Sequence, residues 1–586
     1  MPYLSGVDRR ERLLLPECFD DYVEATNEVR VIDLFVERLT PAALPGANVG
    51  PAVTGRPAYA PRDLLKLFVW GYVNRVTSSR RLERECGRNL EVIWLLRRLR
   101  PDHWTICAFR RGAEATLRGL LREFVRFARE LSLIGAELVA IDGTKLKAVN
   151  NVAQQRTAAQ LAKEEAELEE QIEAYLRGTE QADAQAETAT AQVPMEPTAE
   201  SALSVESAPA SVDSVPSVES AAARVESAPA SVESAPSAES APTAESAPAS
   251  VAPERPALTA ETLPLAQAHL AQCRERQQAL AESGRESLTL TDPDSRRLRK
   301  VGVGYNGQIA VDSLHHLIVA AEIVDAGSDY HQLLPMAQAA RAALELRIDT
   351  ILPLTADGGF YDRQMLYATA QAGFESYVPR PKQKGAAHGS EGPGTGAYAK
   401  SAFRYDALSD TYTCPQGQRL AQTRSAQKGG LKLHYYSHAA ACAACPVRAR
   451  CSKGAAREVE RWEHEAFLEQ LEARQQAHPE MMVRRKALVE HPFGTIKFWN
   501  HQSAFLTRGF GGVQTEFLLS ALAYNLKRLL KLVALPELLR RLETRPQPRT
   551  ASTAATAAGA PTASAAASRA PKARRNLFLS LSLIHI

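Results

Sequence analysis

The sequence predicts an α/β protein in which a mixed sheet carries helices on its faces and follows an all-helical segment. Helical spacing of apolar residues fills residues 61–133 without a strand signal. A short apolar run then precedes Asp142, and further apolar runs follow between Gly304 and Val324. With the segments up to residue 380, these runs give a β-β-β-α-β-α-β order, which fits a mixed sheet covered by helices.

The chain is too long for one core, because 586 residues exceed the usual domain of about 150 residues several times. We predict a helical N-terminal domain, a core domain and a disordered tail at residues 1–135, 136–535 and 536–586. Two insertions interrupt the core domain: a helical arm with a low-complexity segment at 150–290, and a cysteine-rich segment at 381–477.

The formal net charge of +3 is nearly balanced and does not by itself indicate a nucleic-acid partner. Eight cysteines, no leader pattern in residues 1–15 and no apolar run long enough to cross a bilayer indicate a soluble protein of a reducing compartment. We therefore expect the cytoplasm, with no membrane partner.

The helical segment begins with an amphipathic pattern in residues 21–39 and continues from Pro61, a favourable first helical residue. Arginine is dense from Arg75 onward and exceeds the acidic residues locally, which suits phosphate binding. Solvated helix faces explain the same charge equally well. The candidate DNA-binding residues in this segment are Arg80, Arg81 and Arg84.

The insertion after Asp142 starts with a strongly helix-forming run at residues 158–178, interpreted as a hairpin arm. Residues 178–260 repeat units of alanine, serine, proline, valine and glutamate, so we expect them to be disordered. The segment must loop out of the sheet, because predicted strands of the same sheet lie on both sides of it.

Three acidic residues stand in positions that suit metal binding. Asp142 and Asp357 each follow an apolar strand and precede glycine, and Glu490 lies on a predicted helix beside Arg484, Arg485 and Lys486. A strand-end aspartate is more often a helix cap or turn residue. Three converging carboxylates, however, can hold two Mg²⁺ or Mn²⁺ ions, which stabilise the attacking and leaving oxygens of a phosphodiester displacement.

The motifs VAIDGT, TADGGFYD and VEHPFGTIK around these residues resemble the three acidic motifs of DDE transposases of bacterial insertion sequences. The resemblance is to the group of these transposases that has a helical domain ahead of the catalytic core. The stretches RPAYAPRDLLKLFVWGYVNRVTSSRRLEREC, RPDHWTICAFRR and TDPDSRRLRKVGVGYNGQIAVD are similar to the same group. The resemblance implies an RNase H-like catalytic domain in which Asp142, Asp357 and Glu490 are catalytic and bind magnesium.

The basic residues near Glu490 depart from a signature common among such transposases. Val483 stands where the signature has tyrosine and Lys486 where it has arginine, whereas Glu490 and Lys497 match. Lys486 and Lys497 are therefore candidate DNA contacts, although a lysine lacks the bidentate fork of arginine. Arg485 is expected to point elsewhere on the helix. For His491 a phosphate contact or a structural role is expected rather than a role as a base.

Four cysteines fall in the second insertion, with spacing that suits a zinc ion held by thiolates. They are Cys414, Cys442, Cys445 and Cys451. The alternative is four reduced cysteines packed as small apolar side chains.

The function that follows is that of a DNA transposase, which cleaves and transfers strands of double-stranded DNA at element ends and target as a dimer or larger oligomer. Two alternatives stay open: a transposase-derived DNA-binding protein without activity, and a structure-specific RNase H-like nuclease.

Overall fold

The computed structural model describes residues 18–39, 58–150, 154–190, 258–299, 301–381 and 398–545. The chain divides into two compact units, one of residues 1–155 with 289–586 and the other of residues 156–288.

Sixteen α-helices occur in the described residues. They are α1 Glu28–Leu39, α2 Pro61–Val73, α3 Ser79–Arg88, α4 Leu90–Leu95, α5 His103–Gly112, α6 Glu114–Glu130, α7 Ala158–Thr190, α8 Leu263–Ser283, α9 Leu333–Ala343, α10 Arg363–Gln371, α11 Ala439–Ala443, α12 Arg448–Cys451, α13 Glu465–Ala477, α14 Glu480–Gly494, α15 Gly509–Leu532 and α16 Leu535–Thr544.

Thirteen strands occur in the same part of the chain. They are β1 Val139–Lys147, β2 Gln155–Thr157, β3 Ser287–Thr289, β4 Arg296–Leu298, β5 Gly302–Asp312, β6 Ile318–Val324, β7 Leu352–Thr355, β8 Phe374–Tyr377, β9 Arg404–Asp406, β10 Thr411–Thr413, β11 Arg419–Lys428, β12 Leu431–Ser437 and β13 Val459–Trp462.

Helices α1 to α6 form the predicted helical N-terminal region. Their apolar faces share one core with the sheet that follows. Lys66 of α2 is buried, and its ammonium group pairs with Asp33 at 2.6 Å and Glu37 at 2.7 Å on α1. This pairing offsets the desolvation that a buried lysine would otherwise suffer.

The central sheet has six strands in the order β4-β5-β1-β7-β8, with β6 also paired to β5. Strands β4, β5, β6 and β1 are antiparallel neighbours, whereas β1, β7 and β8 are parallel. Helix α9 leads into β7 and α10 into β8, so the predicted β-β-β-α-β-α-β order is confirmed. This is a mixed sheet with flanking helices, and the fold is RNase H-like.

Helix α15 joins the helical region to the sheet, because it packs against α2, α5 and α6 and also against β6. The Asn525 amide donates to the carbonyl of Ile318 and accepts from its N–H, at 2.7 and 2.8 Å. The side chain of Gln514 does the same for Ala321 and Ile323. These buried amides satisfy the backbone of β6, which would otherwise be an open sheet edge.

A second sheet of five antiparallel strands, β13-β12-β11-β10-β9, lies in the predicted cysteine-rich insertion. Phe403, Tyr412, Leu420, Tyr436 and Val459 form its small core. The sheet precedes α13 and α14, so the insertion carries a folded element between the end of the central sheet and the helix of Glu490.

The second unit is a helical hairpin made by α7 and α8. Leu161, Leu280 and Leu288 form a small buried cluster. Arg274 of α8 donates to Glu165 of α7 at 2.8 Å. These contacts agree with the predicted helical arm.

Two predicted boundaries are corrected. Helix α7 continues to Thr190, past residue 178, because its alanine and glutamate favour helix over the coil that was predicted there. Helix α16 lies in the segment predicted as tail, and its buried Leu538 and Leu542 hold it on the core. The remaining low-complexity residues 191–257 and tail residues 546–586 lie outside the described part of the chain. No helix in the described ranges is long and apolar enough to span a bilayer.

Candidate active site

The register of the central sheet brings Asp142 and Asp357 together. Strands β1 and β7 run parallel with Ala140 opposite Thr355, and each aspartate follows its member of this pair by two residues. The strand-end prediction holds for Asp357, which directly follows β7 and Ala356. It is wrong for Asp142, because β1 continues along β5 as far as Lys147.

Arg485 of α14 lies between the two aspartates. Its terminal guanidinium nitrogen is 2.7 Å from Oδ1 of Asp142 and 3.5 Å from Oδ2 of Asp357. The Arg485 and Asp142 side chains are only 13% and 17% exposed, whereas Asp357 is 46% exposed. The site therefore places one cation where both carboxylates can share it.

The prediction that Arg485 points elsewhere is wrong, and the reason lies in the helical period. Leu488, Val489 and Pro492 are the buried residues of α14. Arg485 precedes them by three, four and seven positions, so it lies on the same face as this apolar stripe. This stripe can be recognised in the sequence, and its spacing would have predicted that Arg485 faces the interior of the protein.

The predicted residues Lys486 and Glu490 are four positions apart on α14 and are both exposed. Glu490 lies roughly 140° around the helix axis from Arg485, because five residues separate them. The described residues contain no group of three or more His, Cys, Asp or Glu side chains arranged to hold a metal ion. The structure thus brings Asp142 and Asp357 together but does not bring Glu490 to them.

Burial is the main influence on Asp142, and it raises the pKa of this carboxyl to about 6. The charge of Arg485 opposes this rise, whereas the charges of Asp357 and Asp329 add to it. The backbone N–H of Gly143 donates to Oδ1 of Asp142 at 2.9 Å. A second cation near the pair would favour the ionised form.

A third carboxylate, Asp329, lies beside this pair and was not predicted. Its Oδ1 accepts from Lys145 at 2.9 Å, from Asn306 at 3.0 Å and from Gln308 at 2.5 Å. A Cβ on Gly143 would lie 2.3 Å from the same oxygen, so only glycine fits after Asp142. The glycine of the DG motif therefore makes room for Asp329 instead of forming a turn.

The segment after β7 fixes the second aspartate. Oδ1 of Asp357 accepts from the N–H of Gly359 at 2.8 Å and caps a single 3₁₀ turn, Gly358–Phe360. This leaves Oδ2 directed at Arg485. One carboxylate oxygen of Asp357 therefore caps the turn, and the other faces Arg485.

Lys497 lies near Asp142 on a π-helical turn, Thr495–Trp499, that follows α14. Pro492 precedes the turn and lacks an N–H, which interrupts the α-helical bonding pattern. Burial lowers the pKa of Lys497, the charge of Asp142 raises it and the charge of Lys145 lowers it. The predicted lysine therefore lies close enough to Asp142 for their charges to interact.

The raised pKa of Asp142 predicts a pH dependence of stability in metal-free buffer. The folded state holds the proton more tightly than the unfolded chain, so this carboxyl destabilises the fold as pH rises from about 3.8 to about 6. The expected loss is about 3 kcal/mol in the free energy of unfolding.

Urea titrations at pH 4.5 and pH 7 measure about 2 kcal/mol of this loss, because part of it has occurred by pH 4.5. The variant Asp142→Asn should lack the pH dependence in this window and exceed the wild type in stability at pH 7. Equal stability of wild type and variant at both pH values would contradict the assigned environment of Asp142.

One small cavity of about 30 Å³ is lined by the four predicted zinc ligands, Cys414, Cys442, Cys445 and Cys451, and by core residues of the second sheet. Burial raises the pKa of the Cys451 thiol, with Arg457 lowering it and the other three cysteines raising it. Cys414 and Cys451 also pack on the core of the sheet. The four thiols are neighbours, although they form no metal-holding group as they stand.

The predicted DNA contacts Arg80, Arg81 and Arg84 lie on α3, opposite the buried Leu82 and Cys86. All three are exposed. Within the described residues none of them forms an ion pair with an acidic side chain, so their charge is available to a partner.

The site thus consists of an RNase H-like sheet with two adjacent aspartates and nearby cations, an arrangement compatible with binding a phosphodiester backbone. Two family models match this chain: "Transposase domain (DUF772)" at residues 17–112 and "Transposase DDE domain" at residues 413–530. Both matches are to transposase domains, and together they support the resemblance of this chain to the DDE transposases of insertion sequences. No curated protein and no solved structure matches it.

Proposed function

We propose that this transposase catalyses metal-dependent cleavage and strand transfer of the ends of an insertion sequence. The observation that carries the proposal is the convergence of Asp142 and Asp357 on one cation position, now taken by Arg485. Metal-dependent nicking of a DNA duplex that carries an element end tests the proposal.

DDE transposases use divalent metal ions, and the donor set of this site fits them. Magnesium is commonly bound by one or two carboxylates together with substrate phosphates, so the two aspartates already supply the main protein ligands. Asp142 and Asp357 would hold the two Mg²⁺ or Mn²⁺ ions. When bound, such ions supply charge stabilisation for the attacking and leaving oxygens of a phosphodiester displacement.

Arg485 and Lys497 would bind the phosphate group that reacts. A guanidinium group donates two parallel hydrogen bonds to phosphate, whereas an ammonium group acts as a point charge. Asp329 would act as a positioning residue, because it holds Lys145 and Gln308 against the backbone that follows Asp142. Lys486 would contact DNA from the exposed face of α14.

Glu490 is proposed as the third acidic residue of the site. Its exposed position on α14 means that it can reach the aspartates only if the helix turns or shifts when DNA binds. The same movement would withdraw Arg485 from Asp142. The exposure of Glu490 also favours a second candidate function, a DNA-binding protein without activity, which the nicking experiment distinguishes.

The partner is double-stranded DNA, both the element ends and the target, bound by a dimer or larger oligomer in the cytoplasm. Arg80, Arg81 and Arg84 of α3 are the proposed DNA contacts of the N-terminal region. A nuclease without end recognition would cleave but not join the element end to a target.

We further propose a structural Zn²⁺ held by Cys414, Cys442, Cys445 and Cys451, which already line one cavity. Soft thiolates suit zinc, whereas hard carboxylates suit magnesium, so the two metals should separate by ligand type. Zinc would draw the thiolates into a closed site and would stabilise the second sheet, whose core is small.

Elemental analysis should find about one zinc per chain, as four thiolates make one closed site. Cys442→Ser should lose this zinc and make residues 398–462 sensitive to protease. The matched control Cys107→Ser, on α5, should keep it. Full zinc content in Cys442→Ser, or a zinc-free native protein with equal protease resistance, would leave the four cysteines as packing residues.

A further inference from the structure

A cavity of about 400 Å³ lies beside the π-helical turn, and its lining in the described ranges contains arginine, lysine and histidine side chains but no carboxylate. Its basic side chains are those of Arg75, Lys527, Arg528, Lys531 and His491. Within the described residues, none of these five side chains forms an ion pair with a carboxylate. Such a concentration of positive charge in a concave site favours binding of an anion.

We propose that this cavity binds a phosphate group of a DNA strand, at a position separate from the paired aspartates. The π-helical turn forms the shared wall, because it carries Lys497 near Asp142 and carries Thr495 and Trp499 in the lining of the cavity. A strand that crosses this turn would present phosphates to both places.

The electrostatics of the lining support an anion. Burial lowers the pKa of Lys527 and the charge of Arg75 lowers it further, while Glu28 is the acidic group that raises it. Burial likewise lowers the pKa of His491, with further lowering by Arg528 and Lys531. The arginine and lysine side chains of the cavity therefore disfavour one another's charge and that of His491, and a phosphate would relieve this repulsion.

The conformation of Arg75 is a second, independent observation. Arg75 has φ +63° just after α2. The N–H of Val76 donates to Gly71 O at 2.7 Å and that of Arg75 to Tyr72 O at 3.4 Å, which is the Schellman ending of a helix. This position favours glycine, because other residues are strained in the left-handed region.

The side chain of Arg75 gives a reason for an arginine at a position that favours glycine. Its guanidinium carbon lies 5.8 Å from the ring centroid of Trp499, which is a cation–π contact over the cavity. Trp499 is 66% exposed. The strained backbone conformation therefore occurs at a residue whose charged side chain faces the cavity and not the core.

The test uses two variants of the full chain that remove charge without removing core contacts. Arg75→Gly deletes one cation and relaxes the backbone, so its thermal unfolding midpoint should not fall. Lys527→Gln with Lys531→Gln deletes two cations. The matched control is Lys428→Gln with Lys453→Gln, which makes the same charge change at two exposed residues of the cysteine-rich insertion.

Titration calorimetry with inorganic phosphate, without DNA or metal ions, measures phosphate binding, and the part that the cavity variants lose belongs to the cavity. The wild type and the control pair should bind phosphate, and both cavity variants should bind at least about tenfold more weakly, since each lost charge-assisted hydrogen bond contributes that much. Phosphate binding that is equal in all proteins would overturn the anion site.

The salt dependence of duplex DNA binding identifies the source of the phosphate. Each phosphate contact contributes about 0.9 to the slope of log affinity against log salt, so the cavity variants should show a slope smaller by about that amount. Loss of phosphate binding with an unchanged slope would assign the cavity to a free phosphate compound and overturn the DNA source. Both readouts are independent of cleavage, so they separate this proposal from the proposed activity.

Discussion

Asp142→Asn and Asp357→Asn should each reduce strand cleavage at least about 10³-fold, because each removes an oxygen ligand that supports several kcal/mol of charge stabilisation. The substitutions change side-chain volume little, and neither aspartate belongs to the arginine cluster of α3 that is proposed to bind DNA. DNA affinity should therefore stay within about twofold of the wild type, and Asp142→Asn should gain stability at pH 7 because it removes a buried carboxylate. Nicking of a plasmid that carries the element end, with Mg²⁺ and with Mn²⁺, measures the loss.

Asp349→Asn is the matched control, because Asp349 is 63% exposed and, among the residues that the structure describes, pairs with Arg347 alone. It should cleave like the wild type. Glu490→Gln belongs in the same series: a loss equal to that of the aspartates would require α14 to bring Glu490 into the site. Near-normal nicking by any of the three site variants would remove that residue from the catalytic group.

Arg485→Gln should have the second largest effect, and it should act on both stability and cleavage. Without the guanidinium, the buried Asp142 carboxylate loses its nearest cation, which should cost about 2 kcal/mol in metal-free buffer once the exposure of Asp357 is allowed for. Mn²⁺ should stabilise the variant more than the wild type, because the ion no longer competes with arginine for the carboxylates. Cleavage should fall about 10²-fold, as one phosphate contact is lost.

The two neighbours of Arg485 supply the controls. Arg484 and Lys486 are both exposed. Substitution of either residue by glutamine removes one positive charge from α14. Arg484→Gln and Lys486→Gln should leave metal-free stability unchanged and should weaken DNA binding slightly. An effect of Lys486→Gln on cleavage larger than that of Arg485→Gln would contradict the placement of Arg485 between the aspartates.

The sequence was sufficient for the parts of the fold that follow from local periodicity. The order of strands and helices, the helical region before them and the hairpin arm were all predictable from apolar spacing. Asp357 was correctly placed, because β7 is short and ends at Thr355. The extent of β1 was not predictable, because its second half is polar and is held as a strand only by pairing with β5.

Long-range packing explains what the sequence did not show. Asp329 lies almost two hundred residues from Asp142, and only the fold brings it against Gly143. The cation-lined cavity combines Arg75 from the N-terminal region with residues of α14 and α15, so no local sequence motif could have predicted it. Arg485 is different, because the apolar stripe of α14 was sufficient to predict its inward direction. The family signature has its basic residue at position 486 and therefore favoured Lys486 instead.

The most direct test of the central claim is strand transfer of a pre-cut element end into a target duplex, with and without Mn²⁺, for the wild type, Asp142→Asn and Asp357→Asn. If the paired aspartates form a transposase active site, the wild type should join the end to the target only when Mn²⁺ is present. Both variants should bind the end and fail to join it. Metal-independent joining, or joining by either variant at the wild-type rate, would contradict the assignment, and cleavage without joining would indicate a nuclease.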